Sequence, residues 1–250
     1  MSQHNGHDPH DAHEAHDAYD ASLEILDNGA CRAQLIEMPG CFAIGQDVPS
    51  ALAALVARIP AYYDWLRAHD EYTPIVPGPF HVRAHEIQRV GVQYPHGAEA
   101  FFATDARPVS SEDLDWLLAL LEWSLDDLIA AGERIPPTAR NLPTRAGPPP
   151  DELLRQVVTV QARYLVMLTA QPNQPDQPDP TTMNLPDTPP LEQLRELREV
   201  GLRRLRNVSE QDRVRVFEVM GERWSLHKIL RCGILSARMY ADALADAAPE

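Results

Sequence analysis

The chain has 250 residues, 44% of them hydrophobic, enough for a real core in one large domain or two small ones. Its 37 acidic residues against 22 basic ones give a formal net charge of −15, and Lys228 is its one lysine. Such a chain lacks the basic face that phosphate contacts need, which argues against nucleic-acid binding.

Composition sets three further expectations. No run of about 18 apolar residues exists, so no membrane span is expected. The polar, acidic start does not read as a secretory signal. Cys31, Cys41 and Cys232 are an odd, sparse set that fits a reducing cytoplasm better than a disulfide framework.

The chain begins with one triplet used six times, HNG-HDP-HDA-HEA-HDA-YDA. His4, His7, His10, His13 and His16 head the first five triplets and Tyr19 the sixth. Residues 1–21 have almost no apolar side chains, so a disordered tail is expected there. A period of three lines the heads along one edge of a polyproline-type chain. Imidazoles beside carboxylates could capture Zn, Ni or Cu. The plainer reading is a solvated tail with no role of its own.

Ordered sequence is expected from residue 22. Asn28-Gly29 between two apolar-rich runs signals a hairpin, with strands near 22–27, 30–37 and 41–45. Leu52, Leu55, Val56, Ile59, Tyr63 and Leu66 then mark one stripe of an amphipathic helix. Asp47 is its expected cap, with Pro49 in the first turn and a kink at Pro60. Residues 71–108 read as irregular, with one strand near 85–93. From Ser110 the helical period takes over, in helices near 111–132, 150–169, 191–207 and 225–246. A Pro-rich loop, 171–190, separates the second from the third. Four amphipathic helices in a row read as a four-helix bundle. The predicted plan is α+β: a tail (1–21), a small α/β domain (22–105) and a bundle (106–250).

Two stretches resemble known families. "MPGCFAIGQDVPSALAALVARIPAYYDWLRAHDE" is similar to the HicB-like antitoxin fold, through Pro39, Gly40, Cys41 and Gly45, then Tyr62, Trp65 and Leu66. That resemblance covers about 22–95 and implies a small antiparallel sheet with a helix on one face, used to bind a partner protein. "GERWSLHKILRCGILSARMYADAL" resembles the last helix of the DinB-like four-helix bundle, through Trp224, Ser225, Leu230 and Arg231. This second resemblance covers about 106–250. It implies three histidine metal ligands and, in active members, metal-dependent thiol transfer or hydrolysis. It also implies that two copies could pair as a homodimer. Carried over by position, the ligand slots fall on Gln156, Ser236 and Tyr240. An amide and two hydroxyls are poor ligands for zinc or nickel, so the resemblance implies a bundle that has lost its metal site.

Several other groups invite a functional reading beside a plain one. Gln156, Gln161, Ser236, Arg238 and Tyr240 could line a polar pocket where the metal cleft lay. The plainer reading is a filled core with satisfied polar groups. His81 and His85 follow Pro-Gly-Pro. In extended chain they stand about 13 Å apart, four steps of ~3.3 Å, too far for one ion. Cys41 and Cys232 read as small buried hydrophobes. Asp126, Asp127, Glu192, Glu196 and Glu199 read as solvent faces of helices.

The sequence therefore favours a cytoplasmic, non-catalytic protein that binds an unidentified protein or small molecule, with no cofactor in its folded part. The alternatives are a DinB-type metal-dependent enzyme and a metal handler working through the histidine tail.

Overall fold

Alternating apolar residues and tight turns build the first half of the chain. The structure, a computed structural model, describes residues 18–69, 71, 78–90, 99–143, 147–169, 188–219 and 221–247. Strands β1 (Tyr19–Ile25), β2 (Cys31–Leu35) and β3 (Phe42–Gly45) come first. The β1–β2 turn uses Gly29 at φ +83°, a left-handed backbone that favours glycine, and the Asn28 side chain accepts from the Ala30 N–H at 3.0 Å.

β1 starts at Tyr19, inside the expected tail of 1–21, so the sixth triplet is folded. Tyr19 is 6% exposed and Ala21 is fully buried. The Tyr19 hydroxyl lies 2.9 Å from that of Tyr63, and its N–H donates to the His81 carbonyl at 2.8 Å. The substitution of Tyr for His at the head of this one triplet supplies the apolar ring that burial rewards.

Helix α1 (Val48–Ala68) begins at the expected cap. Asp47 accepts from the Ser50 N–H at 2.8 Å, and Ser50 Oγ accepts from the Asp47 N–H at 3.1 Å. The helix is one unbroken element through Pro60, which stands on its exposed face, away from the packed residues. Ala51, Leu55, Ile59, Tyr62 and Leu66 are the buried face.

Strand β4 (Val82–Arg89) lies parallel to β1, giving the order β3-β2-β1-β4. The sheet is thus mixed, not antiparallel as the sequence suggested. The physical reason is α1: a helix between β3 and β4 is a crossover, and a crossover returns the chain in the parallel sense.

A 3₁₀ turn at Ala103–Ala106 leads into α2 (Ser111–Arg134), capped by Ser110 Oγ accepting from the Asp113 N–H at 3.0 Å. The expected stripe Leu114, Leu117, Leu118, Leu121, Leu125 and Leu128 is buried. Helices α3 (Pro150–Thr169) and α4 (Pro190–Arg206) follow, then the single turn α5 (Glu210–Arg213). A hairpin that the sequence reading missed, β5 (Val216–Val219) and β6 (Glu222–Ser225), precedes α6 (Leu226–Ala247). Trp224 and Ser225 therefore end a strand, although Ser225 Oγ still accepts from the Lys228 N–H at 3.1 Å as a cap would. α2 packs on α6 and α4, and α3 packs on the same two.

Sheet and helices share one hydrophobic cluster, which includes Leu23, Ala33, Leu55, Leu118, Ile234 and Ala237. One tight junction is the turn Pro39-Gly40-Cys41 against α6. Gly40 has φ +87°, and a Cβ there would lie 2.6 Å from Arg238 Cδ and 2.7 Å from Ile234 Cγ2. Gly29 has a similar φ and open space around it. Gly40→Ala should therefore cost about 3 kcal/mol, combining left-handed strain with overpacking, and Gly29→Ala about 1–2 kcal/mol from strain alone. Urea unfolding of both variants checks this; equal losses would contradict the tight junction.

Candidate functional site

The face that α3 turns to α6 carries the positions the sequence singled out. Gln161 is 8% exposed and donates through Nε2 to Ser236 Oγ at 3.0 Å and to the Gly233 carbonyl at 3.3 Å. Ser236 Oγ in turn donates to the Gly233 carbonyl at 3.1 Å. One turn away, the Tyr240 hydroxyl donates to Gln156 Oε1 at 3.4 Å, and Gln156 Nε2 reaches Glu152 at 3.4 Å. Burial raises the Tyr240 phenol above its usual pKa, so it stays a neutral hydroxyl near pH 7. The four side chains thus bond in two pairs, with further bonds to the Gly233 carbonyl and to Glu152. A cavity of about 30 Å³ beside Gln161 and Gly233 has room for one or two waters.

Arg238, grouped with these by the sequence reading, faces elsewhere. Two helix steps turn it about 200° from both Ser236 and Tyr240. Its Nε donates to the Gly40 carbonyl at 2.9 Å, and its guanidinium lies 3.9 Å from the Trp65 ring centroid and 5.2 Å from that of Tyr62. Asp127, expected on a solvent face, joins this cluster by accepting from Trp65 Nε1 at 2.6 Å and standing 3.3 Å from His69 Nε2.

The histidine and cysteine readings divide. His4, His7, His10, His13 and His16 lie outside the described residues, as does most of the Pro-rich loop. His85 sits in β4 with Nδ1 3.8 Å from Asp20 Oδ2, and His81 just precedes that strand. Among the described residues no group of three His, Cys, Asp or Glu side chains could hold a metal ion. Cys31, Cys41 and Cys232 are all buried free thiols. Burial pushes Cys41 up to about 12 and raises Cys31 and Cys232 as well. None is a nucleophile at neutral pH, because the thiolate is the reactive form. A disulfide-exchange reagent should leave all three thiols of the folded protein essentially unreacted for minutes and titrate them at once in guanidinium. Rapid reaction in the folded state would contradict their burial.

Sequence reading missed a buried ionic junction. Asp105 is fully buried and receives Arg231 Nε at 2.9 Å and Arg231 Nη2 at 2.8 Å, with His227 Nδ1 at 3.3 Å and the Phe102 N–H at 2.9 Å. Nearby, Glu24 pairs with Arg32 and accepts from the Ala100 N–H at 3.1 Å. Lys228, also fully buried, donates to the Glu99 carbonyl at 2.8 Å. The available signal was charge placed within apolar pattern: Glu24 inside a buried strand, and Lys228 and Arg231 one turn apart on the apolar face of α6. Burial alone would raise the Asp105 carboxyl. The Arg231 charge and the hydrogen bonds outweigh it and hold the group well below the usual carboxylate range.

A carboxylate depressed in the folded state stabilises fully above its ordinary value of 3.8 and loses that contribution as pH falls below it. Asp105→Asn should cost about 3–5 kcal/mol at pH 7, since it strands a buried guanidinium. It should also flatten the fall in stability below pH 4. Urea midpoints measured between pH 2.5 and 7 test both effects, and an unchanged acid limb would contradict the assignment.

No family model matches the chain, and neither a curated protein nor a solved structure matches it.

Proposed function

We propose that this chain is a non-catalytic binding protein of the cytoplasm. In this reading a HicB-like α/β unit is followed by a DinB-like helical unit whose metal positions no longer hold ligands. The observation that supports it best is that these positions hydrogen-bond in two pairs, Gln161 with Ser236 and Gln156 with Tyr240. A Lewis acid needs imidazole, thiolate or carboxylate donors to hold it and an open position for the reactant. These four offer neutral amides and hydroxyls, several of them already hydrogen-bonded to one another or to backbone. The protonated, buried thiols remove the other familiar nucleophile.

The ligand is a protein or a small molecule. The charge of −15 disfavours nucleic acid, and among the described residues no helix is long and apolar enough to cross a membrane. Three unpaired cysteines support the cytoplasmic assignment. A homodimer belongs to the same proposal, on the family resemblance.

Metal analysis of the purified full chain and of a variant lacking residues 1–17 tests the reading. The cut stops at 17 because Tyr19 already belongs to β1. After equilibration with zinc or nickel and desalting, the shortened chain should hold less than 0.1 equivalent (about background). Stoichiometric metal retained by the shortened chain would overturn the non-catalytic reading. Metal held by the full chain alone would assign metal capture to the histidine triplets.

A further inference from the structure

We infer that the groove enclosed by α1, α2 and α6 is a binding site for a small monocarboxylate, gripped by Arg238. The groove has a volume of about 190 Å³, and Trp65, Asp127, Arg134, Arg238, Ala241 and Asp242 line it. The inference names a ligand class for the binding function proposed above. It uses a different surface from the α3–α6 positions.

The charges of the groove are unequally compensated. Arg32 and Arg231, the other deeply placed arginines, each hold a carboxylate, Glu24 and Asp105. Arg238 has no carboxylate within 4 Å among the described residues. Its Nε is taken by the Gly40 carbonyl and its Cζ lies over the Trp65 ring, while its two Nη groups have no hydrogen-bond partner among the described residues. Burial lowers its pKa, and the nearby Asp242 and Asp127 charges offset that only in part. The carboxylates of the groove have donors of their own: Asp127 takes Trp65 and His69, and Asp242 takes Arg58 at 3.2 Å. Arg134 also has no ion pair among the described residues. The unused hydrogen-bonding capacity of the groove therefore lies on its guanidiniums and calls for an acceptor.

Geometry narrows the class. A guanidinium held over an indole ring and by one backbone bond presents a planar fork, which a carboxylate matches with two parallel hydrogen bonds. Asp127 and Asp242 stand close enough to be felt at Arg238 and repel a second negative charge, so a monoanion suits the groove better than phosphate. The alanines at positions 131, 241 and 245 give it small apolar walls, suited to a short hydrocarbon chain.

The test is a titration of the metal-free, ¹⁵N-labelled full chain at pH 7, followed through the Trp65 Nε1–H and Arg238 Nε–H signals. The probes are sodium propionate, sodium phosphate, propylammonium chloride and sodium chloride, at matched ionic strength. Propionate should shift both signals saturably, with half-saturation on the order of millimolar for so small a ligand. Arg134→Gln, at an exposed position, should weaken this several-fold. Arg238→Lys, which keeps the charge and loses the fork, should abolish saturation while the remaining spectrum stays folded. Equal shifts with chloride, saturation by phosphate or propylammonium in place of propionate, or unchanged propionate binding in both variants would each overturn the inference. Metal analysis does not report on this groove, and these spectra do not report on the α3–α6 positions, so the two readings fail separately.

Discussion

A carboxylate with no exposure beside a guanidinium with almost none is the constraint on which the architecture turns. Asp105 and Arg231 are worth keeping only together, because removing either leaves a charge in a medium that cannot solvate it. Their pairing places the segment around Ala100–Asp105 against α6. Further bonds extend the tie: Arg231 Nη2 to the Ala100 carbonyl at 2.9 Å, Ser225 Oγ to the Asp105 carbonyl at 2.6 Å, and Ala100 N–H to Glu24 of the central strand at 3.1 Å. Sheet, connecting segment, hairpin and last helix are thereby fixed to one another through polar contacts whose geometry allows little slippage.

Helix α6 is where these constraints meet. Lys228 and Arg231 serve the segment 99–106, Gly233 and Ser236 face α3, and Ile234 and Arg238 close over the Gly40 turn. A helix with partners on nearly every side needs small residues where backbones approach and long ones where charges must travel. The sequence of α6 alternates the two within single turns. That all-round engagement explains why its buried residues run without a break from Leu226 to Ala237 save for His227. An ordinary amphipathic helix would show one stripe.

Helical periodicity and capping chemistry made most of the helices legible before any coordinates. The 3.6-residue pattern and the Asp47 and Ser110 caps act locally and leave a local mark. The parallel pairing of β4 was less accessible because it depends on where a crossover lands, although a helix between two strands already hinted at it. The hairpin at 216–225 escaped because each strand has four residues, too few for a period of two to stand out. The positions Gln156, Gln161, Ser236 and Tyr240 were named from the chain and do come together. Arg238 was grouped with them, yet the helix turns it to the opposite side. The Asp105–Arg231 pair joins residues 126 positions apart, a relation no local pattern carries. Asp127 looked like solvent-facing charge because nothing in its own helix shows that Trp65 lies above it.

The place of β1 in the sheet bears on the histidine triplets that run into it. β1 is an interior strand, paired with β2 over five residue pairs and with β4 over seven, the latter with a register shift between Ala21 and Ser22. Tension applied to the triplets would run lengthwise along a strand clamped on both flanks, so yielding would mean shearing two ladders at once. Unzipping an edge strand breaks its bonds one after another at far lower force. A load carried by the chain ahead of Tyr19 would therefore enter the sheet along an interior strand, not along an edge.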